Sequence, residues 1–279
     1  MSSSVVPVSV VVLTKNEEAT LAHSLSRLSR FDEVVVVDSG SEDATVRIAE
    51  ELGARVVQFE WDGRYPKKKQ WSLDHADLRH DWVLLLDADE YPAAELVDEV
   101  AAVVASPEAQ RVAAFDITLR YRFAGRFLRH GHRVTKRSLL DRTRSRFPEV
   151  GDLDAPGIRE VEGHYQPQST DPVGRLTHPI FHDDRDPVSS WFERHNRYSD
   201  WEAYLRRRSD LRTEIASKRT AKGALFDRIP FKPVVFFLYS YVLRAGFLDG
   251  RPGFDYAVAL STYYWQIGVK YREIERGEQ

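Results

Sequence analysis

The chain has 279 residues, 42% hydrophobic and 11% aromatic, which suits one large domain or a domain with a substantial appendage. It contains no cysteine, so disulfides and thiolate metal sites are excluded. The net charge of −3 hides an asymmetry: residues 1–110 hold 10 Lys+Arg against 21 Asp+Glu, whereas residues 111–279 hold 30 against 22. A basic second half suits a phosphorylated acceptor, an anionic membrane surface, nucleic acid or simply a solvated face.

Residues 1–7 lack a basic segment and a long apolar run, so no signal peptide is expected. The uncharged C-terminal stretches fall short of the roughly 20 residues of a spanning helix. The expected location is cytoplasmic, with association to the inner face of the cytoplasmic membrane as an extension of that reading.

Val8–Leu13 is a β-branched run that reads as a buried strand. Thr14-Lys15-Asn16-Glu17-Glu18 follows, then a helical pattern through Leu21, Leu25 and Leu28. Val34–Val37 is a second strand ending at Asp38, Thr45–Leu52 a helix stopped by Gly53, and Arg55–Phe59 a third strand. Lys67–Ala76 is expected to be helical, and Val83–Leu86 is the fourth strand. Strands alternating with helices imply βαβ units and a parallel sheet.

Beyond residue 110 the pattern changes. Val112–Phe123 reads as one or two strands, Arg126–Arg146 as basic and strand-like or irregular, and residues 147–188 as loops around a few short strands. Ser190–Arg208 reads as a helix with Trp191, His195, Tyr198, Trp201 and Leu205 on nearly one face. Phe231–Leu243 and Phe254–Tyr271 read as two further apolar helices. The domain reading is an α/β half over 1–110, a continuation of that domain on the acceptor side over 111–188, and a helical extension over 189–279.

The fourth strand ends in Asp87-Ala88-Asp89-Glu90. Hard divalent cations take oxygen ligands, and carboxylates at a strand tip can hold one against phosphates. Ligands on parallel sheets bind at the carboxyl ends of the strands, which puts Thr14, Asp38 and Asp87/Asp89 along one rim. The G-x-G-x-x-G and G-x-x-x-x-G-K-[ST] phosphate motifs are absent, which argues against a dinucleotide enzyme or a P-loop. A competing reading makes Thr14 and Glu17 a capping box and Asp38 a turn residue.

With V-S-V-V-V-L-T-K-N-E-E at 8–18, V-V-V-V-D-S-G-S-E-D-A-T at 34–45 and V-L-L-L-D-A-D-E at 83–90, the chain resembles a family 2 glycosyltransferase of GT-A fold. R-A-G-F-L-D-G-R-P-G-F at 244–254 resembles the branch of lipopolysaccharide-core glucosyltransferases. The resemblance implies a GT-A, Rossmann-like, mostly parallel sheet flanked by helices. It implies a nucleotide site lined by Thr14, Asn16, Glu17, Asp38, Lys69 and Asp87, with Asp38 accepting from the base, commonly uracil. It implies a Mg²⁺ or Mn²⁺ ion held by Asp89 and Asp87, with His182 as a further ligand.

Sugar transfer from a nucleoside diphosphate needs charge neutralised on the leaving group and a base for the acceptor hydroxyl. The resemblance implies inversion, with Glu160 as the base and Glu162 as its competitor. Both lie in Gly157-Ile158-Arg159-Glu160-Val161-Glu162, where Arg159 stands in the place of a histidine that relatives often have. The implied partners are a nucleotide-sugar donor and a glycan or lipid-linked acceptor, with peripheral membrane contact and no nucleic acid. Two other readings stand beside this one: a sugar-nucleotide nucleotidyltransferase, and a noncatalytic glycan- or lipid-binding protein on the same scaffold.

Overall fold

The structure, a computed structural model, describes residues 5–149, 166–207 and 229–277. The described chain forms two compact units, one from residues 5–122, 133–149 and 166–185 and the other from residues 123–132, 186–207 and 229–277. In chain order the strands are β1 (Val6–Thr14), β2 (Phe31–Asp38), β3 (Arg55–Gln58), β4 (Trp82–Asp87), β5 (Glu90–Pro92), β6 (Ala114–Phe123), β7 (Arg126–Phe127), β8 (Thr135–Asp141), β9 (Val173–Arg175) and β10 (Ile180–His182). The helices of the first unit are α1 (Leu21–Leu25), α2 (Thr45–Glu51), α3 (Lys68–His75) and α4 (Ala94–Val104).

The sheet of the first unit runs β3-β2-β1-β4-β8-β6-β10-β5. Strands β1 to β4 are mutually parallel, as the alternation of strands and helices predicts. The sheet is nevertheless mixed. β8 enters antiparallel between β4 and β6, and β5 lies antiparallel against β10.

The β-branched runs are buried on both faces because strand side chains alternate across the sheet. Val8, Val10, Val12, Leu84 and Leu86 pack with Leu21, Leu28, Leu96 and Val100 on one face. Val11, Val35, Val37, Val83 and Leu85 pack with Phe59, Leu73 and Leu78 on the other. Each such side chain contributes roughly 1.5–3 kcal/mol on full burial. That burial fixes the register, since a slip by one residue would exchange the two faces. The register levels Thr14 with Asp38 and Leu13 with Asp87, so the polar residues that end these strands share one edge.

The second unit is built from α5 (Val188–Arg207), α6 (Lys232–Phe237), a wider helical turn over Leu238–Leu243, a tight turn over Gly246–Asp249, and α7 (Gly250–Arg276). Its core gathers Phe123, Leu128, Phe236, Tyr256 and Leu260, with Trp191 and Tyr264 packed against them. On α5, Trp201 and Leu205 are buried and the Trp191 ring stacks on His195, in line with the predicted face. Lys270 on α7 ties α5 in place, donating to the Asn196 carbonyl and Oδ1 and to Ser199 Oγ, each at 2.8 Å, and pairing with Asp200.

The 244–254 motif has an architectural role. Asp249 Oδ2 accepts the backbone N–H groups of Arg129 and His130 at 2.9 and 2.7 Å. A Cβ at Gly253 would stand 2.1 Å from the Gly246 carbonyl, so only glycine allows this approach of α7 to the preceding turn. No described helix is long and apolar enough to cross a membrane.

Candidate active site

At the edge where β1 and β2 end, Thr14 is buried and donates its hydroxyl to Asp38 Oδ1 at 2.9 Å. Asp38 also accepts from Ser41, through its backbone N–H at 2.8 Å and its hydroxyl at 2.5 Å. Burial alone would raise the Asp38 carboxyl; the hydrogen bonds from Ser41 and Thr14 and the Lys68 ammonium overcome it and hold the group below its ordinary range. Lys68 donates to the Thr14 carbonyl at 2.6 Å.

Asn16 adopts a left-handed backbone, φ 56°. It links two loops: its N–H donates to Ser41 Oγ and its Oδ1 accepts from the Glu42 N–H. Glu17 donates its N–H to Thr45 Oγ1 at 2.7 Å and accepts from the Thr20 hydroxyl at 2.9 Å. The predicted capping-box alternative does not form, because the Thr14 hydroxyl points to Asp38 and α1 begins only at Leu21.

A second cluster forms where β4 ends. Asp87 pairs with Lys136 Nζ at 2.9 Å, and Lys136 also reaches Glu90 Oε2 at 2.5 Å. Glu90 is fully buried and accepts the Asp87 N–H at 2.9 Å. Lys136 comes to this place because β8 runs antiparallel to β4: Trp82 pairs with Asp141 and Leu84 with Leu139, and the same offset carried onward levels Lys136 with Asp87. Burial raises Asp87, but Lys136 first and then Lys69 on α3 hold it well below the usual carboxylate range. Burial lowers Lys136, and the charges of Asp87 and Glu90 outweigh it and keep the ammonium protonated.

β10 completes the cluster from a distant part of the chain. Its antiparallel pairing with β5 sets His182 opposite Glu90, and the Asp183 N–H donates to the Asp89 carbonyl at 2.8 Å. His182 Nε2 then stands 3.4 Å from Asp89 Oδ2, and its Nδ1 is buried without a hydrogen-bond partner. Burial pushes the Asp89 carboxyl up to about 6, helped by Glu90, Asp87 and Asp184 and opposed by His182. Burial alone would lower the imidazole, and the charges of Asp89 and Glu90 carry it up to about 9. Next in the chain, Asp183 is held below the carboxylate range: burial raises it, and hydrogen bonds from Arg185 and Arg122 overcome that.

The donors gathered here are carboxylate oxygens and one imidazole, with no thiolate, a set suited to Mg²⁺ or Mn²⁺. The crowding of Asp87, Asp89 and Glu90 marks a place that an added positive charge would relieve. Among the described residues no three His, Asp or Glu side chains converge as a ready-made ligand set. An ion here therefore needs ligands from outside the described chain.

Of the residues singled out in the sequence, Thr14, Asn16 and Asp38 meet in one hydrogen-bonded group linked through Ser41; at the tip of β4, Asp89 pairs with His182 and Asp87 with Lys136. Lys69 acts on Asp87 through its charge, while its neighbour Lys68 makes the buried contact to β1. Glu160 and Glu162 lie outside the described residues. Lys136 and Glu90 were missed. The adjacency of Glu90 to the two aspartates was a signal for it, but nothing local marks Lys136.

Comparison with known proteins gives a consistent family. Residues 9–157 match the sequence pattern of glycosyl transferase family 2. An uncharacterized glycosyltransferase of Rickettsia typhi is 40% identical over 119 residues, covering 42% of this chain and 40% of that protein. The chain thus spans about two fifths of the length of this relative and of others like it. The lipopolysaccharide core biosynthesis glycosyltransferase LpsC of Rhizobium meliloti is 26% identical over 273 residues, covering 95% of this chain and 91% of LpsC. Among solved structures, glucosyl-3-phosphoglycerate synthase from Mycobacterium tuberculosis, in complex with Mn²⁺, UDP and glucosyl-3-phosphoglycerate, is 31% identical. It covers 42% of this chain and 44% of that chain, with a TM-score of 0.34.

Proposed function

Because the chain belongs to glycosyl transferase family 2, we propose that it moves a sugar from a nucleoside-diphosphate sugar, UDP-linked, to a hydroxyl of a glycan or lipid-linked acceptor. The observation that carries this reading is the acidic group Asp87, Asp89 and Glu90 with His182 at the tip of β4, on the same edge as the Thr14–Asp38 pair. Asp89, Asp87 and His182 would hold a divalent cation, with the donor diphosphate supplying further oxygens. Such an ion supplies charge neutralisation on the departing diphosphate.

The chain's own residues supply the rest. Lys136 and Lys69 balance Asp87 and keep it ionised at neutral pH. Asp38 is held as a carboxylate with three donors, which leaves one lone-pair direction for a base N–H. Asp38 is fully buried, so a base N–H would reach it only after a local rearrangement. Thr14, Asn16 and Glu17 fix the two loops that would flank the nucleotide. Glu160, or Glu162 in its place, would take the acceptor proton from the face opposite the leaving group, giving inversion. LpsC, named for lipopolysaccharide core biosynthesis, is similar to 95% of this chain and supports an envelope-glycan acceptor.

The test is thermal stabilisation by UDP, GDP, dTDP and CDP, with and without Mn²⁺, on wild type and Asp89→Ala. A ligand that binds only the native state at about 100 times its Kd stabilises by about 2.7 kcal/mol. The expected result is a Mn²⁺-dependent shift with UDP that Asp89→Ala abolishes. Equal shifts in both proteins, or none with any nucleotide, would refute the assignment.

A further inference from the structure

We propose that one face of the second unit, spanning the end of the 229–254 segment and the start of α7, docks on an anionic lipid surface. Val234, Leu238 and Val242 follow one another at steps of four along α6 and the wider turn, and with Phe231 just before α6 they are 59%, 49%, 51% and 81% exposed. The opposite face is closed, with Phe236 and Ser240 buried. The chain thus turns its apolar residues both inward and outward here, whereas an amphipathic helix in water turns them only inward.

The strip continues beyond the helical turn. Leu243, Phe247 and Leu248 are exposed in the loop that follows, and Phe254 and Val258 are exposed on the first turns of α7. Ring contacts join the two parts: Tyr241 lies 5.5 Å from Phe254 and 6.2 Å from Phe247, and Phe237 lies 5.9 Å from Phe254. Folded monomers rarely expose a contiguous apolar surface of this kind without a partner.

Charge selects the partner. Between residues 229 and 258 the charged side chains are Lys232, Arg244, Asp249, Arg251 and Asp255, the last paired with Arg251 at 2.9 Å. Asp249 is turned inward, its side chain 9% exposed and bonded to His130. Arg244 is exposed, and the exposed Arg251 lies over the Phe254 ring at 5.9 Å. With Arg251 matched by Asp255, Lys232 and Arg244 leave the strip a net positive charge, set beside tyrosines and phenylalanines. Apolar side chains with a cationic edge are what the headgroup region of an anionic bilayer accepts. No described helix can span a bilayer, so the contact is one of lying on the surface.

The experiment is flotation of the full chain with phosphatidylcholine vesicles and with vesicles that also contain phosphatidylglycerol, at low and high salt. Light scattering without lipid reports the oligomeric state. No donor or acceptor is needed, so failure here leaves the sugar-transfer reading untouched. Wild type is expected to float with the anionic vesicles at low salt. Leu243→Ser with Leu248→Ser should lower partitioning by about tenfold or more. Arg244→Glu with Arg251→Glu should lower it by at least roughly fivefold per arginine. These side chains are exposed, so circular dichroism and melting should match wild type. Three results would overturn the proposal: wild type staying at the bottom with anionic vesicles at low salt, both double variants floating like wild type, or a dimer that the leucine variants dissociate while wild type ignores lipid.

Discussion

Replacing Lys136 by methionine tests the electrostatic design of the β4 tip. The Lys136 side chain is 16% exposed, and its ammonium serves two carboxylates, Asp87 at 2.9 Å and Glu90 at 2.5 Å. Breaking a buried ion pair by removing one partner costs about 3–5 kcal/mol. The Asp87 side chain is 43% exposed and can recover solvation from water, whereas Glu90 is 1% exposed and cannot. Glu90 keeps the Asp87 N–H, so the cost falls at the lower end, about 3 kcal/mol. At roughly 2–4 °C per kcal/mol, the melting midpoint should fall by roughly 6–12 °C. Urea unfolding followed by tryptophan fluorescence, with Trp82 at the start of β4, reads the same quantity independently. Adding Glu90→Gln to Lys136→Met should recover much of the loss, because the amide carries no charge to strand. If Lys136→Met melts with wild type, or Glu90→Gln restores nothing, the lysine does not balance a buried charge and the reasoning fails.

Other outcomes follow from the same geometry. Glu33 is buried and held below its ordinary value: burial raises it, and hydrogen bonds from Ser9, Arg55 and the Arg79 N–H overcome that. Its contribution is present above the unfolded glutamate value of about 4.3 and is lost as pH falls through the lower folded value. Glu33→Gln should therefore flatten the acid limb of a stability–pH curve measured by urea denaturation. Gly253→Ala forces a methyl group to within 2.1 Å of the Gly246 carbonyl and should destabilise by about 1–3 kcal/mol or more. Gly268→Ala, whose nearest neighbour is the Arg272 guanidinium at 3.5 Å, should be tolerated in the same melting assay. Glu160→Gln should leave nucleotide-dependent stabilisation intact and lower transfer by about 10²–10⁴-fold, measured by released nucleotide. Retained transfer in that variant would make Glu162 the base.

β1, β2 and β4 were legible because their burial on both faces demands unbroken apolar runs, and such runs end where the polar edge begins, at Thr14, Asp38 and Asp87. β8 was legible only as part of Arg126–Arg146, read as basic and strand-like or irregular; nothing in its Thr135-Lys136-Arg137 start marks a central antiparallel strand. Lys136 was lost with it, since only the reversed direction of β8 brings that residue level with Asp87. His182 could be chosen for its residue type but not for its neighbours, because the pairing of β10 with β5 and β6 depends on contacts far apart in the chain. Lys68 and Lys69 show a finer limit: helical periodicity places both on α3 but does not tell which one turns to β1.

The three-residue strand β10 has a consequence for how the site comes into being. The Thr14–Asp38 bond closes over 24 residues, whereas the pairing of His182 with Glu90 closes over about ninety. The longer closure carries an entropic cost about 1 kcal/mol larger, and distant pairings tend to limit folding speed. The two halves of the edge therefore need not mature together on the ribosome. The Thr14–Asp38 half is encoded within the first forty residues, while the acidic half waits for residue 182 to be synthesised. A truncated chain ending before Ile180 would carry Asp87 and Glu90 with Lys136 beside them, but Asp89 without its imidazole partner until synthesis passes that point.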